Sequence, residues 1–220
     1  MYRYWIFDLD GTLADTSQDI IDSLAVTCER LLGRKPALDS SWIGPPLSDM
    51  IRRIELAVSS GQIAQITQLF REIYMEAGFP STSLYPGIAD VLSSLRQRGI
   101  LLYVATNKSM KLTKVILGKE KILSMFQGIW TSDALGGILS KEQMVRELIS
   151  FHATIPAETV LVGDSSADIR AALANGIVAV AAGWGYGNKQ AIINERPQYF
   201  CDTVQELRQW IRSETGLYKW

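Results

Sequence analysis

The sequence predicts an α/β fold: a doubly wound, Rossmann-like parallel sheet with a small helical cap domain inserted after the first strand. Two features carry this prediction. Four short, nearly continuous apolar runs, at residues 4–7, 100–105, 159–162 and 177–182, each end in polar residues or glycine, which is typical of parallel strands buried on both faces. Residues 15–79 contain no such run and show only helical spacing of their apolar residues.

Helical patterns lie between the later runs. Apolar stripes cover residues 88–95, 144–149 and 169–173, and Asn175-Gly176 closes the last of them. Strands that alternate with helices in this way predict a doubly wound core. In such sheets a ligand binds at the carboxyl ends of the strands.

The segment after the first strand contains three helical patterns. The first begins at Thr16, ends before Gly33, and has Asp19 at the spacing of a capping box with Thr16. The second follows Pro45-Pro46, and the third covers residues 63–73. These patterns predict a helical insertion.

The domain boundaries follow from this insertion. We expect an α/β core at residues 1–14 and 84–220 and a helical cap at residues 15–83. Residues 14–16 and 80–83 would be the hinges, and cap closure would exclude bulk water from the strand ends.

Composition argues against several classes of protein. The 220 residues have a net charge of −1 and no block of like charge, so we expect no nucleic-acid partner. No stretch approaches the ~20 apolar residues of a membrane span, and the amino terminus does not resemble a signal peptide. Cys28 and Cys201 lie far apart in apolar surroundings, which favours reduced packing residues and a cytoplasmic protein without a membrane partner. A monomer and a homodimer both stay open.

Two acids end the first predicted strand. Asp8 and Asp10 are two residues apart, so an extended backbone would point both side chains to one side. Carboxylates that close repel each other unless a cation or a shared proton neutralises them. Gly11 and Thr12 follow and offer backbone N–H groups and a hydroxyl that could bind the oxygens of an anion such as phosphate.

Polar residues end the other strands as well. Thr106 and Asn107 follow the second run and could donate hydrogen bonds to a phosphoryl oxygen, although a helix N-cap would also explain them. Asp164 ends the third run, with Asp168 four residues later near a helix start. Acidic side chains that meet at one sheet edge favour a hard cation such as Mg²⁺.

The site still requires a cation from a side chain. Lys141, at the start of the helix before the third strand, is the preferred candidate, and Lys108, beside Asn107, is the alternative. His152 is the single histidine of the sequence, which disfavours a zinc site.

Together these segments resemble the haloacid dehalogenase-like superfamily. The resemblance rests on the DxDGT motif that starts at Asp8, on Thr106-Asn107, on Lys141 and on the GDSxxD motif from Gly163 to Asp168. The motifs have the order and spacing of the family and cover nearly the whole chain. One departure is that Glu142 follows Lys141, where many members have proline.

The resemblance implies a role for each residue. Asp8 would be the nucleophile that takes the phosphoryl group, and Asp10 the general acid and base. Asp8, the backbone carbonyl of Asp10 and Asp164 would hold Mg²⁺, with Asp168 supporting them. In that scheme the carboxylate nucleophile divides hydrolysis into two easier steps.

The resemblance also implies the phosphate contacts and the substrate class. Thr106 and Lys141 would bind the oxygens of the transferring phosphoryl group. Three further motifs resemble the phosphoglycolate phosphatase-like subgroup: Ile43 to Leu47, Tyr85 to Gly87, and Trp184 to Gly187. The resemblance therefore predicts an Mg²⁺-dependent hydrolase of small phosphate monoesters, with 2-phosphoglycolate as the preferred substrate.

Several alternatives stay open or are disfavoured. A phosphomutase of the β-phosphoglucomutase type would share Asp8 and Asp10, and a catalytically silent phosphate-binding regulatory protein would lack a motif residue. Dehalogenase chemistry has no use for Asp10 or a metal, and a phosphonate-cleaving enzyme would replace Asp10 with a small residue. Arg52 or Arg53 could meet a substrate carboxylate, although surface exposure is the preferred interpretation.

Overall fold

The computed structural model describes residues 2–133 and 139–214. The strands within them are β1 (Tyr4–Phe7), β2 (Ala14–Asp15), β3 (Ser83–Leu84), β4 (Leu101–Thr106), β5 (Gly128–Thr131), β6 (Thr159–Gly163), β7 (Val178–Ala182) and β8 (Tyr199–Cys201). The helices are α1 (Ser17–Leu32), α2 (Leu47–Ile54), α3 (Ser60–Glu76), α4 (Ile88–Gln97), α5 (Met110–Lys119), α6 (Lys141–His152), α7 (Ser166–Ala174), α8 (Lys189–Asn194) and α9 (Val204–Glu214).

Six of the strands form one parallel sheet in the order β5-β4-β1-β6-β7-β8. The chain starts in the middle of this sheet and extends it first to one edge and then to the other. This arrangement confirms the predicted fold class, a doubly wound α/β core.

Helices cover both faces of the sheet. Trp5 and Phe7 of β1 pack into one apolar cluster, and Ile6 between them packs into a second cluster on the opposite face. The second cluster includes side chains of α6 and α7, such as Val145 and Ile169. Burial on both faces explains why the central strands are continuous apolar runs.

The four strands that the sequence predicts are present as β1, β4, β6 and β7. The edge strands β5 and β8 were missed because they have four and three residues and most of their side chains are only partly buried. Short, half-exposed strands lack the apolar run that marks a central strand.

The insertion after β1 lies between two short strands. Ala14 pairs with Leu84 and Asp15 with Ser83 in an antiparallel ribbon, so the chain leaves and re-enters the core side by side. Helices α1, α2 and α3 lie between them, and α1 packs along α3. The sequence predicted no strand between residues 15 and 79, and the two short strands of this ribbon lie at the borders of that segment. The exact domain boundaries stay a prediction.

The capping box expected at the start of α1 was wrong. Thr16 makes no side-chain capping bond, because its hydroxyl donates to Asp10 Oδ1 at 2.6 Å. Asp19 instead accepts hydrogen bonds from the backbone N–H of Ser81 at 3.1 Å and from the Thr82 hydroxyl at 2.7 Å. The Thr16 side chain thus bonds to the turn after β1, and the Asp19 side chain bonds to the second linker, rather than to the end of the helix.

Two other expectations concern the surroundings of the chain. Cys28 and Cys201 are both free and buried, as packing residues are. Among the helices of the described residues, none is both long and apolar enough to cross a membrane.

We expect Asp19→Ala to destabilise the fold. Asp19 is 4% exposed, and its loss leaves the Ser81 and Thr82 donors without an acceptor, which costs about 1–3 kcal/mol. Thermal unfolding should show a fall in Tm of about 2–4 °C for each kcal/mol. Asp22→Ala, at an exposed position one turn further along α1, should have a much smaller effect; equal effects would contradict the role of Asp19.

Candidate active site

The polar residues predicted at the strand ends meet at the carboxyl edge of the sheet. Phe7 of β1 is level with Val104 of β4 and with Val162 of β6. Asp8 and Asp164 directly follow β1 and β6, and Thr106 is the last residue of β4. The three therefore lie at nearly the same height, as the carboxyl ends of neighbouring parallel strands require.

Lys141 is the cation at the centre of this group. Its Nζ lies 2.7 Å from Asp8 Oδ1 and 2.9 Å from Asp168 Oδ1. The lysine side chain is 5% exposed, and it extends from the first residue of α6, where Ser140 forms a capping box with Gln143. The structure thus places Lys141 beside Asp8, and its role as the phosphate-binding cation stays a prediction.

Burial and charge shift the pKa values of these groups. Burial, followed by the nearby Asp168 carboxylate, raises the pKa of Asp8 to about 7, although Lys141 opposes this rise. Burial alone would lower the pKa of Lys141, but Asp168 and Asp8 outweigh it and raise that pKa. Burial, together with Asp8 and Asp168, also raises the pKa of Asp164 well above its ordinary value.

Asp164 is held by bonds from two loops. Its Oδ1 accepts from the Thr12 hydroxyl at 3.1 Å, and its Oδ2 accepts from the backbone N–H of Tyr186 at 2.8 Å. Gly11, with φ of 81°, lies so close that an added Cβ would be 2.2 Å from Asp164 Oδ2. A side chain at position 11 would be strained by its backbone conformation and would collide with this carboxylate.

The expected phosphate contacts of Gly11 and Thr12 need a correction. The Gly11 N–H donates to the carbonyl of Ala14, and the Thr12 N–H donates to the carbonyl of Leu9. The Thr12 hydroxyl is used by Asp164. The two N–H groups close the turn and the hydroxyl positions Asp164, so these donors already have partners within the protein.

Asp10 pairs with the second lysine. Lys108 Nζ lies 3.1 Å from Asp10 Oδ1, and the lysine side chain is 5% exposed. Burial alone would lower the pKa of Lys108, but the contacts with Asp10 and Tyr74 together outweigh it and raise that pKa. The two lysines that the sequence offered as alternatives therefore both lie in the site, each with its own acid.

Asp8, Asp164 and Asp168 are suitably placed for a cation. Oxygen atoms of the three buried carboxylates lie within 4.8 Å of one another. Lys141 is the buried cation that contacts this group, so negative charge is left over, and repulsion among the acids adds to burial in raising the pKa values of Asp8 and Asp164. An oxygen-only donor set with excess negative charge fits Mg²⁺. The shared role of the Asp10 carbonyl stays a prediction.

The loop after β7 closes the site from one side. Trp184 Nε1 donates to the Thr12 carbonyl at 3.1 Å. The Tyr186 hydroxyl accepts from the Thr16 N–H at 2.6 Å and donates to Asp15 Oδ1 at 2.8 Å. The motif that resembled a subgroup feature thus connects Asp164, the turn after β1 and the first linker.

A cavity of about 80 Å³ lies between the strand ends and the helical insertion. The core lines it with Asp8, Asp10, residues 106–109 and Leu112. The insertion lines it with Ile20, Ile43, Gly44, Pro45, Leu47, Met50, Phe70 and Arg71. The lining is therefore charged on the core side and largely apolar on the other.

Asn107 and the candidate arginines have definite places. The Asn107 side-chain amide donates to the Gly44 carbonyl in the insertion at 3.1 Å, and its phosphate contact stays a prediction. Arg52 is exposed, and the Arg53 guanidinium stacks on the Trp42 ring at 3.9 Å. Neither lines the cavity, whereas Arg71 of α3 does; sequence reasoning missed Arg71 because its position on the helix shows no special pattern.

The chain belongs to the haloacid dehalogenase-like hydrolase family, whose model matches residues 5–182. The site agrees with this match: an acid follows the first strand, and a lysine and two further acids lie close to it. The resemblance stated from the motifs is therefore confirmed.

Several characterised relatives are similar over most of the chain. A 5'-nucleotidase of Pseudomonas aeruginosa is 28% identical over 96% of both chains. A phosphoglycolate phosphatase of Pseudomonas putida is 31% identical over 93% of this chain and 78% of its own. The tyrosine-protein kinase PtkA of Mycobacterium tuberculosis is 32% identical over 93% of this chain and 70% of its own.

Solved structures agree with these relatives. A predicted phosphatase from Clostridium acetobutylicum superposes with a TM-score of 0.89 at 27% identity, covering 97% of this chain and 99% of that one. A predicted phosphoglycolate phosphatase from Haemophilus somnus has a TM-score of 0.84 at 24% identity, covering 96% and 98%, and supports the fold alone. The expected enzyme class, a hydrolase of phosphate monoesters, is confirmed at this level.

We expect Mg²⁺ to stabilise the protein, and more so at high pH. The pKa of Asp8 is raised to about 7, so its stabilising contribution in the metal-free protein is complete below about pH 4 and is lost as the pH rises through about 7. Mg²⁺ at a hundredfold excess over Kd adds about 2.7 kcal/mol, or about 5–10 °C in Tm. Thermal unfolding with EDTA or Mg²⁺, at about pH 6 and pH 8, measures both effects.

Two variants complete this experiment. Asp164→Asn removes an acid of the group and should lose most of the Mg²⁺ shift. Glu147→Gln, at an exposed position on α6, should keep it. An undiminished shift in Asp164→Asn would place the cation elsewhere.

Proposed function

We propose that this chain is a cytoplasmic, Mg²⁺-dependent phosphatase that hydrolyses a small phosphate monoester, with 2-phosphoglycolate as the preferred substrate. The observation that carries the proposal is the buried Asp8 carboxylate, 2.7 Å from Lys141, in a cavity shared with the helical insertion. Residues 15–83 would act as a cap over this cavity, hinged at residues 14–16 and 80–83.

The first step transfers the phosphoryl group to the protein. An oxygen of Asp8 attacks phosphorus as the bond to the ester oxygen breaks, and the departing oxygen takes a proton from Asp10. Lys141 and Thr106 bind the oxygens of the transferring group and stabilise their negative charge. Bound Mg²⁺ would supply further charge stabilisation at these oxygens.

The second step releases phosphate. Asp10, now deprotonated, takes a proton from a water molecule whose oxygen attacks phosphorus, and the bond to Asp8 breaks. Asp8 returns to its carboxylate form and inorganic phosphate leaves. The separation of Asp8 and Asp10 onto different lysines supports this division of labour, because each acid has its own electrostatic partner.

The cavity favours a small substrate. Its volume of about 80 Å³ leaves space for little beyond a phosphoryl group and a short chain. Among the described residues that the insertion contributes to its lining, Arg71 carries the charge and the others are uncharged. A short ester with a second anionic group fits this lining better than the sugar of a phosphomutase, which would need several hydrogen-bonding partners.

A specific observation favours a nucleoside monophosphate as a second candidate. A wider cleft of about 650 Å³ adjoins the cavity and shares Ile43, Gly44, Pro45 and Asn107 with it. A relative is named a 5'-nucleotidase. The kcat/KM values for a nucleoside 5'-monophosphate and for 2-phosphoglycolate separate the two candidates.

We expect Asp8→Asn to abolish hydrolysis. The amide is a poor nucleophile, so kcat for para-nitrophenyl phosphate should fall by at least about a thousandfold, on the scale seen when a nucleophile is removed. EDTA should stop the wild-type reaction and Mg²⁺ should restore it. Asp22→Asn, at an exposed position on α1, should retain wild-type kcat. Full activity of Asp8→Asn would refute the nucleophile, and an inactive wild type on a broad ester panel would refute the enzyme.

Substitution of Arg71 tests the substrate. Arg71→Ala should raise KM for 2-phosphoglycolate about tenfold or more, because a hydrogen bond to a charged group contributes about 1.5–3 kcal/mol. The KM for para-nitrophenyl phosphate, which has no second anion, should change less than about twofold. Arg52→Ala is the matched control on the same insertion. Equal changes in KM for both esters would show that Arg71 does not bind the second anionic group of the substrate.

A further inference from the structure

Lys108 lies between the core and the helical insertion and contacts both. On the core side its Nζ is 3.1 Å from Asp10 Oδ1. On the other side it is 3.4 Å from the hydroxyl of Tyr74 and 4.6 Å from the centre of the Tyr74 ring. In the proposed mechanism Asp10 is the general acid and base, whereas neither step involves Lys108 or Tyr74.

Tyr74 is held firmly within the insertion. It lies on α3, is fully buried, stacks on Phe70 with ring centres 5.4 Å apart, and meets Phe79 edge-on at 4.7 Å. Aromatic contacts of this kind fix a ring in position. The hydroxyl that reaches Lys108 therefore moves with the insertion as a whole.

Lys108 is fixed on the core side by the strand end. Its backbone N–H donates to the Thr106 hydroxyl at 3.2 Å, and Asn107 beside it donates to the Gly44 carbonyl of the insertion. The segment from Thr106 to Lys108 is thus a point where core and insertion meet. The charged Nζ, buried between Asp10 and Tyr74, needs both partners to compensate for its lost hydration.

We infer that Tyr74 is a positioning residue that acts through Lys108 to hold the Asp10 carboxyl group in its productive orientation when the insertion covers the cavity. Lys108 and the Thr16 hydroxyl both contact Oδ1 of Asp10, which fixes the rotation of the carboxyl group and the direction of Oδ2. Proton transfer to the leaving oxygen would then be efficient only with the insertion in place. This inference rests on the proposed function of Asp10 as general acid.

The test compares esters that differ in their need for that acid. An alkyl ester such as 2-phosphoglycolate releases a strongly basic oxygen, whereas para-nitrophenyl phosphate releases a stable phenolate that needs little protonation. We use kcat/KM, because it reports the steps up to phosphoryl transfer to Asp8 and is unaffected by the later attack of water. A general acid contributes about 10²–10⁴-fold, so a misplaced one should slow the alkyl ester selectively.

Tyr74→Phe keeps the ring and removes the hydroxyl. We expect kcat/KM for the alkyl ester to fall about tenfold, as the loss of one hydrogen bond allows, and that for para-nitrophenyl phosphate to fall less than about twofold. Tyr103→Phe, which removes a hydroxyl from a buried tyrosine of β4 in the cluster on the other side of the sheet, is the matched control and should affect neither ester.

A double-mutant cycle tests whether Tyr74 acts through Lys108. Lys108→Met should lower the alkyl-ester rate at least as much as Tyr74→Phe, and the double variant should be no slower than Lys108→Met alone, because residues that act in one chain are not additive.

Three results would overturn the inference. Equal losses on both esters would mean a structural role for Tyr74, and additive effects would separate Tyr74 from Lys108. If Lys108→Met lowers kcat/KM for both esters while Tyr74→Phe leaves both values unchanged, Lys108 binds the substrate directly. A wild type inactive on both esters would instead overturn the proposed function, and this inference with it.

Discussion

The ion pairs of Lys141 with Asp8 and Asp168 are the interaction on which the site depends. Charges this deeply buried are costly, because the loss of hydration is repaid only by short and well-directed contacts. The parallel register of the central strands brings Asp8 and Asp164 together, and the capped start of α6 directs Lys141 between the acids. Excess negative charge still remains, and a divalent cation is the natural complement to it. A bound divalent cation would offset this excess negative charge. Carboxyl groups with pKa values shifted in this way are common at functional sites.

Two acids that are neighbours in sequence are separated by their surroundings. Asp8 faces the core and Lys141, whereas Asp10 faces the insertion, with Lys108 and Thr16 as partners. One acid is thus placed among groups that belong to the rigid sheet. The other is placed between Lys108, which is held at the end of β4, and Thr16 of the first linker of the insertion. In the proposed mechanism, the nucleophile therefore depends on contacts within the core, whereas the orientation of the proton donor also depends on contacts with the insertion.

The cavity has a similar division. The core contributes the charged and polar floor, while the insertion contributes apolar side chains and Arg71. The polar lining from the core suits the phosphoryl group, which all phosphate esters share. The lining from the insertion suits recognition of the leaving group, which differs between esters.

The sequence by itself determined the class of fold, the central strands and the acids at their ends. A strand buried on both faces needs an apolar residue at every position, so it appears as a continuous apolar run, and the acids stand directly after that run in the sequence. It did not determine the edge strands β5 and β8, which are short and half-exposed. Thr16 and Asp19 have the spacing of a helix cap, yet the Thr16 side chain binds Asp10 and the Asp19 side chain binds the second linker at Thr82 instead. Lys108 is beside the right strand end in sequence, but its contacts with Asp10 and Tyr74 depend on packing against the turn after β1 and against α3. Such contacts are decided by how distant elements pack, and only the tertiary structure brings their side chains within hydrogen-bonding distance.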